Sequence, residues 1–479
     1  MSDSLKKDTI SALVWNTLDK VGFQMLALIV GIITARLLSP RDFGLIGALA
    51  VFVMLSNILV ESGFTTALIR RKKNTDEEYS AMLYFNILLS IVIYLILFFS
   101  APQIANFFHM PELSSLARLL FLAIILNSFG LVQNIILTKE LAFRTLTIAN
   151  IISAFVSGII CISLILFWHF DYWALAWQQV IQIGVRVIML WILSSWRPVM
   201  KANFLVIKEV FSFSILMLTS ALINSIMKNI YNVIIGRTYN AQVLGYYTQA
   251  NKFQLIPSNV ILLTMSGVTY PVLSKLNDDT SRQLMYFRKI IRITAFLIFP
   301  IMIGLLAMTE ELVQIVLTDK WLPAAPYFKI LVLAALVSPF HTLNLNILTL
   351  KGFAKTGLSL EVFRNILIIL SLFFCLGNIE SMLIGFSAAS FISYFADIYI
   401  VRRKTGYDMW DQIKDVLPYA GISVAMYFVI KGVGLINLGI YTTSALQILS
   451  AVIFYYLILK ALGSQVLIDA VDFFKSKTN

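Results

Sequence analysis

The sequence predicts an all-α polytopic membrane protein. Three observations carry this: apolar runs of spanning length recur from end to end, basic residues fall on alternate loops, and a segment near the start reappears near the middle. A helix rises 1.5 Å per residue, so roughly 20 apolar residues match the hydrocarbon thickness of a bilayer, and about fourteen such runs can be placed. Hydrophobic residues make up 59% of the 479, charged residues 13%, and the mean hydropathy is +0.85. A water-soluble chain of this length carries a larger polar fraction.

The expected spans, taken in order, run 13 to 38, 43 to 69, 80 to 101, 113 to 137, 146 to 168 and 172 to 195. A second series runs 209 to 236, 243 to 273, 290 to 308, 325 to 350, 358 to 378 and 381 to 400, and two more follow at 413 to 436 and 438 to 459. The start, MSDSLKKDTISALVW, has two lysines but no small-residue cleavage pattern, and the apolar run after it exceeds a signal peptide, so the first span is expected to be retained. An even number of spans places both termini on one face. Lys6, Lys7, Arg70 to Lys73, Lys139, Arg144, Arg197, Lys201, Lys208, Lys275 to Arg292, Lys351, Lys355, Arg402 to Lys404 and the tail lysines all fall on that face. Roughly 25 basic residues against about 6 make it the cytoplasmic face by the positive-inside rule. The net charge of +12 therefore reports topology and contact with anionic headgroups, and no soluble basic domain is present to bind nucleic acid.

Residues 31 to 47, GIITARLLSPRDFGLIG, lie over 232 to 248, NVIIGRTYNAQVLGYYT, without a gap, so that Arg36 falls on Arg237 and Gly44 on Gly245. Each match sits where one span ends and the next begins, which sets spans 1 and 2 against spans 7 and 8. An offset of six spans keeps orientation, giving two parallel six-helix lobes related by an axis along the membrane normal. The expected organisation is one lobe over 1–204, a second over 205–404, and two added helices with a cytoplasmic tail over 405–479.

ARLLSPRDFGLIG, ESGFTTALIRRK, NIYNVIIGRTYNAQVLGYY, TDKWLPAAPYFKIL and HTLNLNILTLKG resemble the Wzx-type polysaccharide and O-antigen flippases. More narrowly they resemble the lipopolysaccharide and teichuronic-acid transporter branch of the multidrug/oligosaccharidyl-lipid/polysaccharide exporter superfamily. The similarity runs from about residue 10 to the last spans as many segments, without one diagnostic motif. It implies a MATE-like pair of six-helix lobes around a central cavity. It also implies movement of a polyprenyl-diphosphate-linked oligosaccharide from the inner to the outer leaflet of a bacterial cytoplasmic membrane. After Gly-Tyr-Tyr the family often carries Arg-Ala-Asp, whereas Gln249, Ala250, Asn251 and Lys252 stand here, so no ion pair is carried over to this point.

Ionisable residues inside spans are the candidates for chemistry, because a charge near the bilayer centre costs about 2.5 to 3.5 kcal/mol and is turned toward protein or water. Gln178, Gln182 and Arg186 follow one another at spacings of four and share a helix face, where amides would meet sugar hydroxyls and the arginine a diphosphate. A buried arginine satisfied within its lobe is the alternative. Lys228 and Lys252 flank the turn between spans 7 and 8 at similar depth, with Asn224 and Asn232 on the Lys228 face. Two amines at one level suit a diphosphate; snorkelling to headgroups is the competing account. Asn16, Lys20 and Gln24 form a stripe on span 1, an entrance group or a snorkelling one. Glu361 and Arg364 have the spacing of an intrahelical pair. Glu61 and Asp397, near the inner ends of spans 2 and 12, are the candidates for an ion-coupling site taking H+ or Na+, or are simply solvated.

Pro257, Pro300 and Pro339 fall mid-span, as hinges or as fixed bends. His341 follows Pro339 and is the one histidine of three placed to matter, while Trp173, Trp177 and Trp321 read as an interfacial belt. Cys161 and Cys375 lie in apolar segments without metal-ligand spacing, and no metal site or cofactor is expected. With no phosphate-binding loop, nucleophile and base, or large external loop, the chain is expected to be a transporter rather than an enzyme. Its expected partners are a lipid-linked oligosaccharide, membrane lipids and the polysaccharide polymerase and export machinery. A multidrug antiporter, a peptidoglycan-precursor flippase and a non-transporting scaffold of an assembly complex are the alternatives.

Overall fold

A computed structural model describes residues 3–61, 68, 71, 74–201, 203, 205–274, 276, 279–375, 377–436, 438–469 and 472, and no strand occurs among them. In chain order the helices are α1 (Asp3–Leu37), α2 (Pro40–Glu61), α3 (Asp76–Phe108), α4 (Leu113–Lys139), α5 (Phe143–Trp168), α6 (Tyr172–Leu193), α7 (Leu205–Thr238) and α8 (Ala241–Ser274). They continue as α9 (Thr280–Ala307), the short α10 (Thr309–Leu317), α11 (Ala325–Leu350), α12 (Ala354–Phe374), α13 (Ile379–Thr405), α14 (Met409–Gly434) and α15 (Ile440–Ala461). A 3-10 segment, Asp319–Ala324, joins α10 to α11.

Several ends are written in the sequence. Thr75 caps α3 through a reciprocal box with Glu78, Asp279 accepts from the Arg282 amide to start α9, and Asn378 starts α13 through the Glu380 amide. Gly406, at φ 78°, closes α13 in the left-handed conformation that a glycine adopts without strain. Some helices run well past the expected spans: α3 has 33 residues, roughly 50 Å at the helical rise, longer than the hydrocarbon is thick.

Eleven helices among the described residues are long and apolar enough to cross a membrane, and Val21–Leu37 adds a shorter apolar stretch. The full count of fourteen spans is therefore not established. α7 carries Asn224, Lys228, Asn229 and Asn232, and α8 carries Gln249, Asn251, Lys252 and Gln254.

Two compact units divide the chain, Met1–Thr248 and Gln249–Asn479. The first extends past residue 204 because α7 packs on α2 and α3. Within it α4 packs against α3 and α6, and α5 against α1 and α6. The second holds α11 packed on α13, α12 on α13, and α9 on both α11 and α14, with α15 laid on α14. In the first unit large apolar side chains such as Leu88, Phe99 and Phe155 are exposed, while Asn86, Ser90, Ser128 and Gln133 are buried within a largely apolar core. That arrangement suits a lipid surround, where small and polar side chains mediate helix contacts. Ser90 donates to Ser128 across α3 and α4 at 3.0 Å, and the Cα of Gly158 packs so close to Val30 that a Cβ would lie 2.6 Å from its Cγ2.

Trp321 corrects the interfacial expectation. It is fully buried, because the 3-10 segment folds against α10 and α11, so it is not exposed to lipid as a belt residue would be.

Candidate functional site

In the first unit, the α6 stripe leads to Arg186. Its Nε donates to Asn150 Oδ1 at 2.7 Å and its Nη2 to Asn134 Oδ1 at 2.9 Å, so the guanidinium bridges α5 and α4 from α6. This is the within-lobe arrangement in kind, with amide oxygens as acceptors. Those two bonds hold the side chain in place. Gln178 and Gln182 are half-buried on the same helix. Beside this group, Gln133 of α4 is buried with neither amide atom bonded, and Asn127 approaches Asn57 of α2 at 3.5 Å. Asn134 and Asn150 are residues that sequence reasoning passed over. Their signal was an amide in the middle of an otherwise apolar run on each of two adjacent spans.

On α7 the side chains of Asn224 and Lys228 are exposed, one turn apart, with half-buried Asn232 a further turn on. Asn232 donates to Asn229, which in turn donates to the Ser225 carbonyl and contacts the Met54 sulfur at 3.2 Å. On α8, in the second unit, Lys252 is exposed beside buried Gln249, and Gln254 donates to Asn251 at 3.0 Å. Exposed amines within helices of this length present charge along the helix shaft. Lys228 and Lys252 fall in different units, and each is described within its own. The side chains of Lys20 and Glu61 lie outside the described residues.

Asp397 is placed otherwise than a solvated group at a helix end. It is 0% exposed, and Oδ2 lies 2.6 Å from Nδ1 of His341, itself 5% exposed. α13 continues to Thr405, five residues past the expected end, which puts Asp397 roughly 12 Å inside the helix. Arg364, across on α12, is near enough to act electrostatically on Asp397 as well as on Glu361.

A second charged cluster fixes the two added helices to the unit. Asp415 of α14, its side chain 3% exposed, accepts from Arg288 Nε at 2.8 Å, Arg292 Nη2 at 2.6 Å and Tyr407 Oη at 2.7 Å. Arg288 also reaches Asp411 at 3.1 Å. Burial and the adjoining Asp415 carboxylate push the Tyr407 phenol up, so it stays a donor. Its signal was readable: Arg288 and Arg292 at a spacing of four face Asp411 and Asp415 at the same spacing. Near the tail Lys289 pairs with Asp469 at 2.6 Å, and Tyr455 of α15 donates to the Phe296 carbonyl of α9 at 3.0 Å.

With these groups in view, similarity to known proteins is informative. Residues 33–326 match the family described as polysaccharide biosynthesis protein, well over half of the chain. The chain belongs to that family. As a polysaccharide biosynthesis protein it is 24% identical to the teichuronic acid biosynthesis protein TuaB of Bacillus subtilis, over 90% of each chain. It is likewise 24% identical to the lipopolysaccharide biosynthesis protein WzxC of Escherichia coli, over 90% of this chain and 89% of that one. Identity to the succinoglycan biosynthesis transport protein ExoT of Rhizobium meliloti is 27%, over 71% and 69%. Among solved structures, the lipid II flippase MurJ in an inward closed conformation superposes with a TM-score of 0.76 at 14% identity, covering 94% of this polysaccharide biosynthesis protein and 99% of MurJ. An inward-facing MATE-family multidrug transporter gives 0.67 at 14% identity, over 82% and 98%. The fold is thus the one shared by these transporters.

Proposed function

We propose that the protein is a flippase that moves polyprenyl-diphosphate-linked oligosaccharide repeat units from the inner to the outer leaflet of the bacterial cytoplasmic membrane, by alternating access, for surface polysaccharide assembly. Both termini lie in the cytoplasm, as the basic loops require. The observation that carries the reading is the exposed Lys228 ammonium within the polar α7 stripe, with Lys252 similarly exposed on α8. Compact cations along helix shafts suit a diphosphate, whose transfer through a low-dielectric region is prohibitive unless its charge is met. A carrier of cationic drugs calls for exposed carboxylates instead, whereas, among the described residues, Asp397 is enclosed with His341.

The relatives are named for three different polymers, which supports an exporter of lipid-linked sugar repeat units and leaves the sugar itself open. Gln178, Gln182 and Asn224 supply amides for sugar hydroxyls, and Arg186, held by Asn134 and Asn150, supplies a fixed positive group. The polyprenyl tail stays in lipid throughout. No covalent step is assigned to the protein, and the cycle draws its direction from a coupling ion or from consumption of the repeat unit by the polymerase and export machinery. Reconstitution of the full chain into vesicles with a labelled lipid-linked oligosaccharide tests the reading. A flippase accelerates transbilayer movement, and a scaffold does not.

A further inference from the structure

We infer that His341 and Asp397 form a proton-binding site in the core of the second unit, with His341 Nε2 as the atom that takes up the proton and Asp397 as the group that holds it there. The pair joins α11 to α13 through one contact of 2.6 Å between Nδ1 and Oδ2. With Nδ1–H donating to the carboxylate, the imidazole is fixed in the tautomer whose Nε2 lone pair is open. A proton arriving at Nε2 converts the ring to imidazolium, and both charges then face each other across an existing hydrogen bond.

The surroundings favour a titrating pair over an inert one. Asp397 is 0% exposed and its Oδ1 has no hydrogen-bond partner, while His341 retains 5% exposure, so protons reach the pair through the imidazole. From α12 Arg364 acts on Asp397, and Glu361 acts on Arg364 in turn. From α13 itself the neighbour is Tyr394, which bonds Gln412 of α14. On α14 Asp411 is paired with Arg288, and Asp415 with Arg288, Arg292 and Tyr407.

Next to the pair the hydrogen-bonding capacity is incompletely used. Gln412 Nε2 donates to Asn344 Oδ1 at 3.3 Å, yet Asn344 Nδ2, Gln412 Oε1 and Ser393 Oγ are all buried without partners. Asn344 lies one turn from His341 on α11, and Ser393 one turn from Asp397 on α13, so these atoms border the site. A buried ionisable pair amid unfilled donors and acceptors is a recurrent composition of intramembrane proton relays. Pro339, two residues before His341, has no N–H to give to α11, so the site sits where that helix is least braced. Use of the site to drive transport rests on the export reading above; the proton site itself does not.

The chain has three histidines, His109, His169 and His341, so selective 15N-histidine labelling of the full protein in liposomes yields three resolvable imidazoles. The His341 resonances, identified by their loss in His341→Gln, are expected to change from the neutral Nδ1–H form to imidazolium on acidification, with Asp397 present. Asp397→Asn is expected to keep the ring neutral over the same acidification. Should that variant fail to insert, Arg364→Gln serves, and is expected to bind the proton more tightly with the neighbouring cation gone. A His341 ring that stays neutral in the wild type, or that titrates identically in Asp397→Asn and Arg364→Gln, overturns the proposal. So does a change in the His341 signal when sodium replaces choline at fixed pH, which would assign the carboxylate to a metal cation. The readout needs no sugar lipid, so it fails or succeeds separately from the vesicle assay.

Discussion

Gly44 and Gly245, which the internal repeat lays over one another, also touch in space. A Cβ on Gly44 would fall on the carbonyl oxygen of Ala241 and lie 3.0 Å from the Gly245 nitrogen; a Cβ on Gly245 would fall on the carbonyl oxygen of Pro40 and lie 3.2 Å from the Gly44 nitrogen. Pro40 and Ala241 are themselves equivalent in the repeat, so the starts of α2 and α8 meet reciprocally. Reciprocity of this kind is the signature of a two-fold relation, here between two stretches of one chain.

Backbone presses on backbone there, and neither side can step aside. Gly44→Ala and Gly245→Ala should each cost about 1 to 3 kcal/mol, read as a lowered unfolding temperature of the purified protein. Gly47→Ala provides the control: its Cβ would meet only the Thr248 methyl, at 2.6 Å, which a rotamer change relieves, so its effect should be the smaller.

Asp415 gathers two arginines and a tyrosine onto one nearly enclosed carboxylate. Asp415→Asn should weaken the hold of α14 on α9 by about 2 kcal/mol or more, because hydrogen bonds to a charged acceptor are worth about 1.5 to 3 kcal/mol each. Limited proteolysis after Gly406 should become faster, while Asp411→Asn, which loses one bond on a half-exposed carboxylate, should change little.

Glu310 and Lys329 form an exposed pair at 2.7 Å between α10 and α11. The hydrogen bond and charge of Lys329 hold the Glu310 carboxyl below its ordinary range. A carboxyl lowered on folding contributes stability that is present above its unfolded value, about 4.3, and is lost as pH falls through the folded one. Glu310→Gln should therefore reduce stability by less than about 1 kcal/mol at neutral pH, and by nothing measurable in strong acid. A difference that grows on acidification would contradict this sign.

Arg186→Lys separates charge from geometry. Lysine keeps the positive charge but cannot reach Asn134 and Asn150 with a fixed fork, so export at matched protein level should fall toward that of Arg186→Ala. Full retention of export by the lysine variant would mean that charge alone matters.

Sequence reading reached the helical class, the repeat and the polar stripes because lipid imposes a simple code: long apolar runs, charge at the ends, amides only where something meets them. It could place Asp397 and His341 individually but could not join them, since their meeting depends on how α11 packs on α13. Helix ends hid the rest. Had α13 stopped at 400, Asp397 would lie near the surface; five further residues, closed by Gly406, carry it inside. Trp321 misled for a similar reason, because a tryptophan beside an expected loop says nothing of a 3-10 turn that folds it inward. The match of Arg288 and Arg292 to Asp411 and Asp415 is legible in their common spacing of four.

The central claim is met most directly by fluorescent lipid-linked oligosaccharide in vesicles holding wild-type protein or the Lys228→Gln, Lys252→Gln double variant. The account predicts that wild-type protein exposes the inner-leaflet label to an external quencher much faster than empty vesicles do. The double variant should need roughly ten-fold more substrate for the same rate, since one charge-assisted contact is worth more than the 1.4 kcal/mol of a ten-fold change. Quenching no faster than in empty vesicles would contradict the flippase reading, and an unaltered double variant would remove its lysines from the diphosphate.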